Sequence, residues 1–195
     1  MLSSLRKTPL ILLALVAVFA LSACGDSHSK VTTGTYAGEG GAAAPYLNVG
    51  PLSYQVQVSR ELNPANAEDA AYLQGLTPAE AHLAPGEEWF AVFIQVYNNT
   101  SEEHQAANKF IVYDTQGNVY SPIVPDATNL FAYRGGLVPP ESQFPEPGTI
   151  ADDVGAQGAM LLYKVQLASL ENRPWNLRIV DPDDASQTAT AELDV

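Results

Sequence analysis

The run Trp89-Phe90-Ala91-Val92-Phe93-Ile94-Gln95-Val96-Tyr97 is apolar on both faces that a β-strand presents. Side chains alternate across a strand, so Phe90, Val92, Ile94 and Val96 line one side while Trp89, Ala91, Phe93 and Tyr97 line the other. Such a segment needs cover above and below, which makes it a central strand of a layered fold. Shorter runs elsewhere repeat the period-two signal. Tyr54-Gln55-Val56-Gln57-Val58-Ser59 alternates strictly, as do Trp175–Ile179 and Thr188–Val195. Gly158–Val165 reads as a further buried strand. Lys109–Tyr113 and Val119–Ser121 form a hairpin around the Gly-containing loop Asp114–Asn118.

Helical signals are sparse. Pro64–Leu73 has Asn66 as a capping residue, Glu68 and Asp69 in its first turn where the dipole favours acids, and Gly75 beyond its end. Leu167–Asn172 has the pattern of one helical turn. Thr77–Glu88, with Pro78, Pro85 and Gly86, reads as loop. The proline-rich stretch from Pro122 to Gly155 is too long to be wholly structureless, so one or two short strands are expected within it, around Asn129–Tyr133. The sum predicts an all-β chain, an antiparallel β-sandwich with one short helical insert.

The beginning of the chain carries a different instruction. Arg6 and Lys7 precede an apolar stretch, Leu10 to Leu21, and small residues follow it, the three parts of an export signal. A dozen or so apolar residues fall short of the roughly 20 that span a bilayer. Cys24 is the only cysteine of the chain, and Leu21-Ser22-Ala23-Cys24 resembles a bacterial lipobox. That resemblance implies a diacylglyceryl group on the Cys24 thiol and cleavage just before it. Stable anchoring takes two lipid signals, and this group supplies two chains. Gly25 occupies the position where aspartate retains many Gram-negative lipoproteins in the inner membrane. The expected location is the extracytoplasmic face of the cell membrane, rather than a freely secreted or membrane-spanning state. The expected organisation is a signal peptide over residues 1–23, a flexible tether over 24–45 and a sandwich domain over 46–195. A Gly/Ser/Ala-rich chain of about 20 residues has an end-to-end distance of roughly 25 Å, enough to lift the domain from the headgroups.

With Cys24 lipidated, no disulfide forms within the chain and the domain relies on its hydrophobic core. The formal net charge is −13, and loss of Arg6 and Lys7 makes it more negative. So acidic a surface argues against nucleic acid and anionic headgroups as partners. It serves as a solvated exterior, or as a surface for cationic partners.

Three segments together carry a family resemblance: Trp89–Val96 running into Asn98-Asn99-Thr100, Phe110–Asp114 with Gly117–Tyr120, and Gly158–Val165. They resemble the immunoglobulin-like domain of secreted bacterial lipoproteins of actinobacterial type, a group akin to the mycobacterial secreted immunogenic antigens and without assigned molecular function. The resemblance implies an immunoglobulin-like sandwich and an extracytoplasmic location, and it transfers no catalytic residues. The chain has Gln166 where that group often closes the third segment with proline.

Chemistry-bearing motifs are few. Gly-x-Ser-x-Gly, His-Glu-x-x-His and a phosphate-cradling glycine loop are all missing from the sequence. His28, His82 and His104 lie in tether or loop, and Met160 is the single methionine after cleavage, which leaves little for a zinc or copper site. Asp181, Asp183 and Asp184 form the better metal candidate, a weak calcium site, with Asp152 and Asp153 as a second pair. Asp-Pro-Asp-Asp is equally an ordinary turn, since aspartate and proline set turn geometry themselves. Phe131, Tyr133 and Arg134 combine apolar area with a rare cation beside Gly135 and Gly136, which suits a binding loop; the plainer alternative makes the two rings core residues of a short strand. The sequence is read as a non-catalytic, lipid-anchored interaction module, with an envelope protein or extracellular ligand as partner and no organic cofactor. A calcium-binding structural domain of the envelope and a hydrolase are the alternatives.

Overall fold

A computed structural model describes residues 29–35, 45–153 and 158–193. The signal segment, Cys24 and most of the tether lie outside the described residues. In chain order the strands are β1 (Ser29–Thr35), β2 (Tyr46–Val49), β3 (Leu52–Leu62), β4 (Glu87–Asn98), β5 (His104–Ala106), β6 (Lys109–Tyr113), β7 (Val119–Tyr120), β8 (Gly136–Val138), β9 (Ser142–Phe144), β10 (Ala159–Gln166), β11 (Trp175–Val180) and β12 (Thr188–Leu193). One sheet runs β1-β12-β11-β6-β7 and the other β10-β4-β3-β2, with β9 pairing to the end of β4; β5 and β8 form a separate ribbon. The chain passes from β4 to β6 across the sandwich, returns at β10 and crosses again to β11 and β12, an immunoglobulin-like succession.

β4 is central, as its pattern requires. Phe90, Val92, Ile94 and Val96 enter the main core between the sheets, where they meet Tyr54, Leu161, Tyr163, Trp175 and Leu177. Trp89, Ala91 and Phe93 enter a second cluster on the outer face with Val58, Leu62, Tyr72, Met160 and Leu162. A register shift between Val56 and Val58 feeds this split, because it turns Val58 and Leu62 outward while Tyr54 and Val56 stay inward.

Helix α1 (Ala67–Tyr72) roofs the outer cluster. The Asn66 side chain caps it, and the Arg60–Asp69 ion pair at 2.6 Å holds it to β3. Burial pushes the Asp69 carboxyl up, but the hydrogen bonds from Arg60 and the Asn63 N–H, with the charge of Arg60, outweigh this and leave it below the ordinary range. A second helix, α2 (Pro78–Ala81), falls in the stretch read as loop. Its cause is local: Thr77 and Glu80 form a reciprocal capping box, and Pro78 sits in the first turn. The helical insert is therefore two short helices rather than one.

The tether also needs correction. Ser29–Thr35 is a strand that adds in parallel to β12, with Ser29 opposite Thr188 and Thr35 opposite Leu193. β12 presents unpaired backbone groups on that side, and a segment with Val31, Thr32 and Thr33 has the β-branched character to pair with them.

Buried side chains close the turns. Asp114 Oδ1 accepts from the Gln116 and Asn118 N–H groups, and its Oδ2 accepts from the Asn118 and Asn172 amides. Desolvation raises this carboxyl, yet these bonds prevail and hold it at about 2. At the opposite end of the sandwich, Gly50 (φ +58°) turns β2 into β3. A Cβ there would fall 1.7 Å from Asp181 Oδ2, so this glycine lets the two sheets meet.

Gly50→Ala is expected to lower stability by about 1–2 kcal/mol for the left-handed backbone alone. The displaced Asp181 adds to that, so Gly50→Ala and Asp181→Ala should be strongly non-additive in urea denaturation. Asp114 contributes stability that is present above the ordinary carboxylate pKa near 3.8 and is lost as pH falls towards about 2. Acid unfolding of Asp114→Asn should lack that component, a difference readable by circular dichroism between pH 4 and pH 2.

Candidate functional site

The open lateral edge of the sandwich, where β6 and β7 face β10, carries a cleft of about 360 Å³. Phe110 and Leu161 form its inner wall, Ile123 and Val124 its outer wall, and Tyr133 and Arg134 one side. The chain after β7 builds this wall by lying along β10. The Ile123 N–H donates to Leu162 O at 2.7 Å and the Tyr133 N–H to Met160 O at 2.8 Å, while the Met160 N–H donates to Phe131 O at 2.7 Å. The strand expected around Asn129–Tyr133 is thus reduced to one parallel bridge, Ala132 with Met160. The short strands of this region are instead β8 and β9.

Side-chain bonds hold the intervening loop. The Asn129 amide donates to Tyr72 O and Gln74 O, and its oxygen accepts from the Phe131 and Ala132 N–H groups. Asp126 Oδ1 accepts from the Thr128 N–H and hydroxyl. The Thr128 hydroxyl is the larger influence lowering that carboxyl, ahead of the backbone bond. The Arg134 guanidinium then donates to Pro125 O at 2.9 Å, to Asp126 O, and to Asn129 O at 3.3 Å.

The three residues read as a binding loop therefore separate. Tyr133 is buried in the main core, its hydroxyl donating to Ala107 O at 2.6 Å and its ring packed edge-on against Phe110 and Phe144. Phe131 points to the other side, 4.7 Å from the Tyr72 ring centroid in the outer cluster. Arg134 is exposed, but its donors serve backbone carbonyls. The alternation of a strand sends neighbouring odd and even residues apart; here the short hydrogen-bonded turn sends Phe131 and Tyr133 apart too. Tyr133 and Arg134 border the cleft, and Phe131 does not.

The aspartate turn is closed by its own backbone. Asp181 is buried, and its Oδ1 accepts from the Asp183 and Asp184 N–H groups, both at 2.8 Å. Asp184 accepts from the Ser186 N–H and hydroxyl. Asp183 is exposed. Among the described residues, no three His, Cys, Asp or Glu side chains converge on a point that could hold a metal ion. Of the second pair, Asp152 accepts from the Gln95 and Gln143 amides and from the Gly148 N–H.

A polar network on the outer face of β3 and β4 was not legible beforehand. Gln57 donates to Gln55 and Gln95, and Tyr97 donates to Gln55 and Gln95. Burial is the main reason the Tyr97 hydroxyl rises to about 12. The alternation of Gln55, Gln57 and Gln95 signals a solvent face, yet Gln55 and Gln57 are each only 1% exposed. Asn98, which begins an Asn-x-Thr pattern, is fully buried, and its amide reaches Glu102 O, Val138 O and Pro139 O.

Neither a family model nor a curated protein sequence matches the chain. Solved structures do. A candidate lipoprotein from Bacillus subtilis, ycdA, aligns with a TM-score of 0.50 at 10% identity over 78% of this chain and 39% of its own. The chain thus spans about two fifths of that protein, and the likeness concerns the fold alone. The yjhA protein from Bacillus subtilis aligns at 0.48 and 8% identity over 83% of this chain and all of its own length (100%). An uncharacterised β-sandwich protein from Clostridium difficile aligns at 0.42 and 10% identity, covering 82% of this chain and 94% of that one. No helix among the described residues is long and apolar enough to cross a membrane.

Replacing Arg134 with methionine keeps the aliphatic stem and removes the three hydrogen bonds to the loop. Hydrogen exchange of the amides from 126 to 132 should accelerate, with a stability loss of about 1–2 kcal/mol. Unchanged exchange would mean that the guanidinium does not organise the loop.

Proposed function

We propose that the chain is a non-catalytic, lipid-anchored binding domain of the bacterial cell envelope, of the immunoglobulin-like lipoprotein type. The single observation that carries the binding role is the preformed edge cleft. Its size falls at the small end of ligand sites, and its walls are largely apolar with a few polar groups at the rim. It takes an apolar group of an extracellular ligand or of an envelope protein. The polar side chains that looked available for chemistry are committed to backbone groups, which supports binding over catalysis. The anchor rests on Leu21-Ser22-Ala23-Cys24 and the signal-like segment before it.

Two measurements test the two halves. Cys24→Ser should move the protein from the membrane fraction to the soluble fraction, with loss of the diacylglyceryl mass. Anilinonaphthalene sulfonate, an apolar anion, should give a saturable fluorescence rise with the folded protein. Val124→Glu, at a half-exposed position on the cleft wall, places a carboxylate against the probe's sulfonate and should abolish that rise while leaving the melting temperature unchanged. A signal indifferent to Val124→Glu would exclude the cleft as the binding site.

A further inference from the structure

We infer that β1 makes the membrane anchor a short leash, and that the end of the sandwich carrying the β11–β12 turn is the surface that faces the phospholipid bilayer. The inference rests on the lipid anchor proposed at Cys24.

Only Gly25, Asp26, Ser27 and His28 separate Cys24 from the first residue of β1. Five Cα-to-Cα steps at about 3.3–3.6 Å reach at most about 18 Å when fully extended. A free tether of about 20 residues averages roughly 25 Å and extends much farther. Once Ser29 pairs with Thr188, the leash length rather than the tether length sets the stand-off.

The register also selects which end faces the lipid. Ser29 lies opposite Thr188, Thr188 opposite Val180, and Val180 opposite Lys109. The contact between Gly50 and Asp181 brings the β2–β3 turn to the same end. β4 finishes there too, since Tyr97 pairs with Ser53. The β6–β7 turn around Gln116 lies at the other end of β6 and faces away from the bilayer.

Charge is compatible with this placement. Asp181, Asp183, Asp184, Glu102 and Glu103 outnumber Lys109 at this end, so anionic headgroups repel it. That repulsion is screened within about 8 Å at physiological ionic strength, less than the reach of the leash. Two buried acyl chains, at about 0.8 kcal/mol per methylene, hold the protein against it. The cleft lies on the β7/β10 edge, the lateral edge opposite β1, so it opens sideways along the membrane plane.

The test uses the full, diacylated protein in phosphatidylcholine vesicles that contain a headgroup-attached acceptor dye. Lipidation consumes Cys24, so one introduced cysteine takes the donor dye alone. Ala185→Cys and Gln116→Cys are both at exposed positions, one at each end. Energy transfer to the bilayer should be several-fold stronger from position 185 than from 116. Val31→Pro with Thr32→Pro removes a ladder N–H of either parity from β1 and should reduce transfer from position 185 to near that from 116. Equal transfer from the two positions in diacylated protein overturns the leash while leaving the anchor standing, as does indifference to the two prolines. Mass spectrometry that finds the Cys24 thiol unmodified overturns the anchor and the leash together.

Discussion

A strand with two apolar faces can exist only between two layers, and β4 imposes that condition on the whole molecule. Its inward face meets the second sheet through Phe90 and Trp175, whose ring centroids lie 5.3 Å apart. Its outward face requires a roof, which the two short helices and the chain after β7 provide. Tyr72 bridges these pieces, packing on Phe93 from β4 and on Phe131 from the loop. Lys164 fastens α2 by donating to His82 O at 2.7 Å while its ammonium sits over the Trp89 ring. Where the roof ends, the outward face changes from Phe93 to Gln95, and the glutamine network begins.

Irregular chain covering a sheet carries backbone polar groups that must be paired if they are buried. This domain pairs many of them with side chains rather than with further strands. Asn98, Asn129, Asp114, Asp181 and Arg134 each serve two or more backbone groups. The same residue types attract attention as sites, because carboxylates and guanidinium groups also bind ions and ligands. Geometry separates the two uses: here the donors and acceptors face their own loops. One place left open to a ligand is the edge between β6 and β10, where no strand closes the sandwich.

The signal-like segment and the single cysteine after it are visible in composition and order alone, since a feature of that kind is a property of linear sequence. The central strand, the flanking alternations and the all-β class are equally legible, since burial on one or both faces leaves a period of two. Tertiary contacts decided the rest. Ser29–Thr35 has too few apolar residues to announce a strand, and it becomes one because β12 offers a free edge. Thr77 and Glu80 form a capping box whose signature was present but masked by two neighbouring prolines. Gln55 and Gln57 alternate like surface residues and are buried by what packs over them. Phe131, Tyr133 and Arg134 are adjacent along the chain, yet a turn held by Asn129 sends the rings into different cores. Periodicity records which face of an element is covered, whereas the direction of a loop side chain depends on long-range partners that no local pattern encodes.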